Sequence, residues 1–238
     1  MIDVIILAAG VGSRLRPITN DVPKCMVPIN NEPLIGRIVK QLKAQTQINT
    51  INVVLGYKSD AVVDFFENKE VNFIINDDYE NTNNMYSFYL AAKNIHNLND
   101  VIIINADCIY DDEIIKLAVN SNDSIILSDE NFFNEESMKI EVHNNFIKGI
   151  SKKYLKSENT FTSIDFYRLK KDAYELLVKI VTDIINSGDL NSWTEVGLDM
   201  LVKNNPLLLK PKFIGANKWY EIDNHTDLEI ANKLFANE

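Results

Sequence analysis

Three groups of residues in this chain have types and spacings that suit phosphate chemistry. The first is Leu7-Ala8-Ala9-Gly10-Val11-Gly12-Ser13-Arg14-Leu15-Arg16-Pro17, followed by Pro23-Lys24. Small residues and glycines let a backbone come close to a ligand, and successive free N–H groups in such a turn cradle an anion. Arg14, Arg16 and Lys24 add positive charge to a chain that carries 34 acids against 24 bases. Together these describe a triphosphate loop. It is not a P-loop, because no Gly-Lys-Ser/Thr closes it, nor a dinucleotide fingerprint, because Leu15 stands where the third glycine belongs. A lone Gly-x-Gly serves equally as a plain strand-to-helix turn, so the longer run carries the reading. The second and third groups are Asp107 and the late Tyr220-Glu221-Ile222-Asp223. Alone, Asp107 and Asp223 each read equally as a helix cap or a solvated loop residue. As a pair flanking a triphosphate loop they suit Mg²⁺, which takes one or two carboxylates plus substrate phosphates.

The remaining polar residues offer less. Asp77-Asp78, Asp111-Asp112 and Glu135-Glu136 read as surface or cap residues. His96, His143 and His225 have no ligand spacing and read as surface residues, and no Ser/His/Asp or Cys/His arrangement calls for a covalent intermediate. Cys25 and Cys108 are too few for a disulfide framework or a four-ligand zinc site and read as reduced core residues. Tyr86 and Tyr89, at i and i+3, read as core.

The elements that would position these groups follow from hydrophobic pattern. Aliphatic runs at Asp3–Leu7, Ile51–Leu55, Val71–Ile75 and Val101–Asn105 suit strands buried on both faces of a parallel sheet. Helical patterns at Pro33–Ala44, Ser59–Glu67 and Asn84–Ile95 lie between them, giving βαβ units. Ligands of such sheets sit beyond the carboxyl ends of the strands, which here means after Leu7, Leu55, Ile75 and Asn105. The second half reads as a meander, Ser124–Leu127, Met138–Val142, Phe146–Ile150 and Thr160–Phe166, with a hairpin turn at His143-Asn144-Asn145. An amphipathic helix from Ala173 to Ile185 follows, stopped by Gly188, then a helix near Trp193–Val202, the apolar Leu207–Ile214, Lys218–Ile222, and a last helix opened by a capping box at Thr226-x-x-Glu229. The expected fold is α/β: a Rossmann-like, mainly parallel sheet flanked by helices, with a β-rich insertion in the second half. All 238 residues form one domain, 1–123 a nucleotide-binding half and 124–238 an acceptor-binding half. A net charge of −10 argues against a general nucleic-acid surface, which needs a basic field. No run approaches the ~20 apolar residues of a membrane span. Asp3 stands where a signal peptide is basic, so the expected location is cytoplasmic. Homo-oligomerisation is left open.

Gly10-x-Gly12-x-Arg14-Leu15-x-Pro17-x-Thr19 with Pro23-Lys24 and Pro28 resembles the signature of the nucleotidyltransferases that join a nucleoside triphosphate to a small phosphate ester. Gly56-Tyr57, Asp107 and Tyr220-Glu221-Ile222-Asp223 extend the resemblance, and Asn83-Asn84-x-Tyr86-Ser87-x-Tyr89-Leu90 is similar to the phosphocholine cytidylyltransferase branch in particular. Ala106 replaces the family's usual glycine, and 124–215 matches least. The resemblance implies CMP transfer from CTP to a small phosphorylated acceptor, with Mg²⁺ on Asp107 and Asp223. Arg14 would meet the leaving phosphates and Lys24 the α-phosphate and acceptor phosphate. Leu7, Ala8, Ala9, Gly10, Gly12, Ser13, Asn83, Asn84 and Ser87 would surround the nucleotide.

The acceptor is the open point. Gly149-Ile150-Ser151-Lys152-Lys153 lacks the Glu-Lys-Pro of sugar-1-phosphate enzymes, and the chain has no β-helical extension, which weakens a sugar acceptor. A quaternary ammonium would want an aromatic cage, for which Tyr167, Trp193 and Trp219 are candidates. Glu136-Ser137 stands where a cage tryptophan is expected. An amino-acid-like acceptor such as phosphoglutamine is therefore favoured over phosphocholine, with Glu136, Tyr167 and Trp193 in its pocket and Lys139 or Arg168 for its carboxylate. A non-catalytic nucleotide-sensing subunit is the alternative of another class, against which stands the joint presence of Arg14, Lys24, Asp107 and Asp223.

Overall fold

A computed structural model of the chain describes residues 1–66, 71–95 and 99–236. Glu67, the last residue of the second predicted helix, and His96 lie outside the described residues. The chain runs β1 (Ile2–Ala8), β2 (Pro28–Ile29), β3 (Glu32–Pro33), α1 (Leu34–Lys43), β4 (Ile48–Leu55), α2 (Ser59–Phe65), β5 (Asn72–Ile75) and α3 (Asn84–Asn94). It continues through β6 (Asp100–Asn105), β7 (Cys108–Tyr110), α4 (Asp112–Val119), β8 (Ser124–Asp129), β9 (Lys139–His143), β10 (Phe146–Ser151) and β11 (Thr160–Leu169). It closes with α5 (Lys171–Asn186), α6 (Thr194–Asn204), β12 (Leu209–Phe213), β13 (Trp219–Glu221) and α7 (His225–Leu234).

The main sheet has the order β10-β9-β11-β6-β1-β4-β5, with β8 on β11 and β12 on β8. Strands β6, β1, β4 and β5 are parallel, while β11 lies antiparallel to β6 and joins the second half to the first in one sheet. The fold is thus the mainly parallel, helix-flanked α/β sheet that the aliphatic runs predict. The alternation of β1 shows why both faces are covered. Ile2, Val4, Ile6 and Ala8 enter a core shared with α1, α2, α4 and α7. Ile5 and Leu7 enter the opposite core, under α3, α5 and α6. The predicted turn after β9 forms with Asn144 at φ 52° and Asn145 at φ 63°, the left-handed region that asparagine tolerates.

Two details differ from the sequence reading. Helix α4 was not anticipated; Asp111, read as a cap or surface residue, is its N-cap. The capping box of α7 forms two residues earlier than expected, between Asn224 and Asp227, because the extended backbone of Asn224 ends the segment carrying Glu221. Both cysteines are buried and free, and His143 and His225 are exposed. Among the described residues no helix is long and apolar enough to cross a membrane.

Candidate active site

The site gathers beyond the carboxyl ends of β1, β5 and β6. A cavity of about 280 Å³ is lined by Leu7, Ala9 and Gly10 after β1, Asn76 and Tyr79 after β5, Asn83, Asn84 and Ser87 of α3, and Asn105 and Asp107 after β6. Its other wall comes from the second half: Ser137, Lys152, Asp165, Trp193, Glu195 and Glu221. A second cavity, of about 160 Å³, adjoins it across Ser137, Lys152 and Glu221 and reaches Arg14, Phe132, Asn134, Glu136 and Asp223.

The glycine loop is held by its own side chains. Thr19 donates its hydroxyl to the Gly12 carbonyl at 2.8 Å. Gly12 adopts φ 68°, and a Cβ there would stand 2.8 Å from the Cβ of Lys24, so glycine is required by conformation and by space. Gly56 is required by close approach, since a Cβ would meet Tyr79 and the Ala9 carbonyl. The loop thereby lays Lys24 across its base. The Lys24 ammonium donates to Asp107 Oδ2 at 2.9 Å and to Asp223 Oδ1 at 2.8 Å. Arg14 adds a second cation on Asp223 Oδ1, at 2.9 Å.

Backbone pairing sets the acids. The Asp107 carbonyl accepts from the Ile222 amide at 2.9 Å, which seats Asp107 between Glu221 and Asp223. The Asp227 carboxylate accepts from the Asp223 and Asn224 amides, so the start of α7 fixes Asp223. Oxygens of Asp107, Glu221 and Asp223 all lie within 4.8 Å of one another. This is a hard, three-carboxylate donor set, and the ammonium that bridges two of its members occupies a cation position. The residues present therefore fit a divalent cation. Sequence reasoning brought out Asp107 and Asp223 but not Glu221. The missed signal was spacing: in extended backbone residues 221 and 223 share a face.

Charge and burial tune the cluster. Burial opposes the charge of Lys24, but Asp107 and Asp223 outweigh it and hold the ammonium above the ordinary lysine range. Burial likewise opposes the Asp223 carboxylate, yet Lys24 and Arg14 keep it below its ordinary range. Lys24 and Lys152 favour the Glu221 carboxylate only from a distance, and among the described residues no cation forms an ion pair with it. Burial, then the neighbouring charges of Asp107 and Asp223, push it up to about 7. Deeper in the cavity the Tyr167 hydroxyl donates to Glu195 Oε1 at 2.7 Å and contacts Asp165 Oδ1 at 3.0 Å. Burial raises both carboxyls, and Glu195 and Glu221 raise Asp165 further. Asp165 takes φ 57°, an uncommon conformation for a residue other than glycine, at the point where β11 crosses the cavity. Asp165, Glu195 and Lys152 were not singled out from sequence.

The other expected residues fall into two sets. Leu7, Ala9, Gly10, Asn83, Asn84 and Ser87 line the first cavity, as does Trp193, with the Lys152 ammonium 4.8 Å from its ring centroid. Asn84 also bonds the Thr194 amide through Oδ1 at 2.8 Å, tying α3 to the start of α6. Ala8 borders a small recess beside Lys24, and Glu136 lines the second cavity. Gly12 and Ser13 line neither cavity. Three acceptor residues are corrected. The Tyr167 ring is fully buried, so only its hydroxyl reaches the carboxylates and the ring is no cage wall. Lys139 is buried and gives its ammonium to the carbonyls of Asn134 and Glu135 at 3.2 and 2.6 Å, which leaves it no carboxylate-binding role. Arg168 lies at the opposite end of β11, paired with Asp100 at 3.0 Å, where the antiparallel register carries it away from the cavity. Trp219 is buried with its indole N–H on Asp129. Tyr86 and Tyr89, read as core, are half-buried against it.

A glycine-rich loop after the first strand, carrying cations onto a carboxylate cluster at the carboxyl edge of a mainly parallel sheet, defines a phosphate-handling α/β domain. The sequence profile of the Nucleotidyl transferase family matches residues 3–233, and the chain belongs to that family. It is 38% identical over 124 residues to the CTP:phosphoglutamine cytidylyltransferase of Campylobacter jejuni, a match covering 50% of this chain and 49% of that protein. It is 28% identical over 231 residues to the bifunctional protein GlmU of Methanococcus maripaludis, covering 87% of this chain and 55% of that protein. The chain spans about half the length of these curated relatives. The solved CTP:phosphocholine cytidylyltransferase of Streptococcus pneumoniae superposes with a TM-score of 0.77 at 25% identity, over 98% of both chains. The relatives it matches within the family thus include cytidylyltransferases as well as GlmU proteins.

Proposed function

We propose that this chain is a Mg²⁺-dependent cytidylyltransferase that moves CMP from CTP onto the phosphate of a small acceptor of the phosphoglutamine type, with release of pyrophosphate. The observation that carries the reading is the cluster of Asp107, Glu221 and Asp223 closed by Lys24 and Arg14 where the two cavities meet. In the reaction an oxygen of the acceptor phosphate attacks the α-phosphorus in line. The bond from that phosphorus to the oxygen bridging the β-phosphate breaks, and the electron pair leaves with pyrophosphate. No covalent enzyme intermediate is needed, so rate comes from positioning and charge. Lys24 holds its charge across the working pH range and serves the α-phosphate and acceptor phosphate. Arg14, the more exposed cation, serves the leaving phosphates. Asp107, Glu221 and Asp223 would hold Mg²⁺, which when bound neutralises phosphate charge and polarises the P–O bonds. Residues 1–123 hold base and ribose through the β1 loop and α3, and residues 124–238 hold the acceptor.

The acceptor wall supports an amine-bearing substrate. It offers the carboxyl groups of Asp165, Glu195 and Glu136, beside the rings of Trp193, which Lys152 already faces, and of Phe132, Trp219 and Tyr220 around the second cavity. A trimethylammonium group gains from ring faces, whereas a primary ammonium needs hydrogen-bond acceptors. The cytidylyltransferase relatives support CTP as the donor and leave the choice of acceptor to the wall itself. The test is pyrophosphate release from CTP and Mg²⁺ with phosphoglutamine, phosphocholine and glucose-1-phosphate, compared as kcat/KM. Phosphoglutamine is expected to lead. A lead for phosphocholine or the sugar phosphate overturns the acceptor assignment. CTP binding without turnover of any acceptor favours the nucleotide-sensing alternative.

A further inference from the structure

We propose that Lys139 is a positioning residue, whose buried ammonium holds loop 131–137 in the shape that presents Asn134, Glu136 and Ser137 to the second cavity. Its side chain is among the largest fully buried ones in the protein. Its ammonium donates to the Asn134 and Glu135 carbonyls at 3.2 and 2.6 Å and lies 5.3 Å from the centroid of the Phe133 ring. All three contacts go to the same loop. Among the described residues no carboxylate lies within ion-pair distance of it. A buried charge without a counterion is costly, and an apolar side chain of similar length would fill the space without that cost. Packing therefore accounts for the stem of Lys139 but not for its charge. The charge is accounted for by the loop.

The rest of the loop is pinned independently. Asp129 Oδ1 accepts from the Asn131 and Phe132 amides at 2.7 and 3.1 Å. Thr162 donates its hydroxyl to the Phe132 carbonyl at 2.7 Å. Lys139 fastens the far end, next to Glu136 and Ser137.

The test uses K139M and T162V in the full chain. Amide hydrogen exchange of residues 131–137 should quicken about tenfold or more in K139M and less in T162V, with the rest of the sheet unchanged. The inference rests on the proposed acceptor reading only in its kinetic arm. There, KM for phosphoglutamine should rise about tenfold in K139M, while KM for CTP and kcat move less than about threefold. Unchanged exchange in the loop overturns the proposal. So does an equal rise in both KM values with a lowered melting temperature, which marks Lys139 as plain structure. If K139M fails to fold, K139Q, which keeps a donor of shorter reach and removes the charge, takes its place in both arms with the same expected and overturning results. If the loop loosens but the wild-type chain uses no acceptor, the reading of function fails and the hold of Lys139 on the loop stands.

Discussion

Replacing Glu221 by Gln should stabilise the metal-free protein above pH 7 and abolish part of its pH dependence. Glu221 sits beside Asp107 and Asp223, and among the described residues its carboxylate accepts no hydrogen bond from a side chain. Burial and those neighbours move it from 4.5 up to about 7. At about 1.4 kcal/mol per pH unit, this is at most about 3 kcal/mol, and less in so far as water reaches the carboxylate. The sign follows from proton counting. Between pH 4.5 and 7 the folded chain keeps a proton on Glu221 that the unfolded chain has released, so stability falls as pH rises. The contribution is complete below about 4.5 and gone above about 7. Glutamine carries no charge at any pH and nearly the same volume. In EDTA, wild type and E221Q should melt together near pH 4.5, and E221Q should melt several degrees higher at pH 8, at about 2–4 °C per kcal/mol for a chain of this size. Mg²⁺ should raise the wild-type melting temperature more at pH 8 than at pH 5, because it binds the ionised carboxylates, and should raise that of E221Q less. Equal melting of the two proteins at pH 8 in EDTA would refute the cost assigned to Glu221. An equal Mg²⁺ response would remove Glu221 from the donor set.

Four further substitutions test the site and its surroundings. Asp107→Asn and Asp223→Asn should each lower kcat by about 10²-fold or more while the fold persists; near-normal turnover, measured by pyrophosphate release, takes that residue out of the cation site. Lys24→Ala should lower kcat by about the same factor, and a rise in KM alone would mean that Lys24 contributes uniform binding. Arg168→Ala should destabilise the chain by about 1–3 kcal/mol, the loss of a buried charge-assisted hydrogen bond while Lys170 still pairs with Asp100, with KM for the acceptor unchanged in the folded fraction.

The fold was legible where one physical signal dominated. The runs now seen as β1, β4 and β6 are aliphatic because helices cover both faces, and such a run needs no alternation to be read, whereas β5, at the sheet edge, is aliphatic but only partly covered. Helix α4 was illegible because its eight residues are short and the pair Asp111-Asp112 reads equally as a solvated turn. The capping box of α7 was misplaced because Thr226 and Asn224 both begin a permitted pattern, and only the end of the preceding extended segment chooses between them. In the site, Gly12, Lys24 and Asp107 announce themselves through residue type and neighbours. The acceptor wall does not. Asp165 projects into the cavity through a left-handed backbone turn, and Lys139 and Arg168 are drawn off by carbonyls and by Asp100. Charge type alone gives no hint of either partner.

The free site also explains why its cations and acids had to be found together. Three carboxylates on one side and two cations on the other leave a near-balanced cluster, with Lys24 bridging Asp107 and Asp223. An unpaired buried charge costs several kcal/mol, so Lys24 cannot turn toward phosphates unless another cation takes over its carboxylates. In the proposed reaction the nucleotide and its divalent cation arrive with complementary charges and exchange partners with this set, so neither half of the cluster is stranded. Lys24 then meets the phosphates with an ammonium that was already desolvated and aimed. That preorganisation is where a site without a nucleophile gains its rate. It requires the loop that places Lys24 to be stiff, and the loop is: the side chain of Lys24 itself excludes any residue but glycine at position 12.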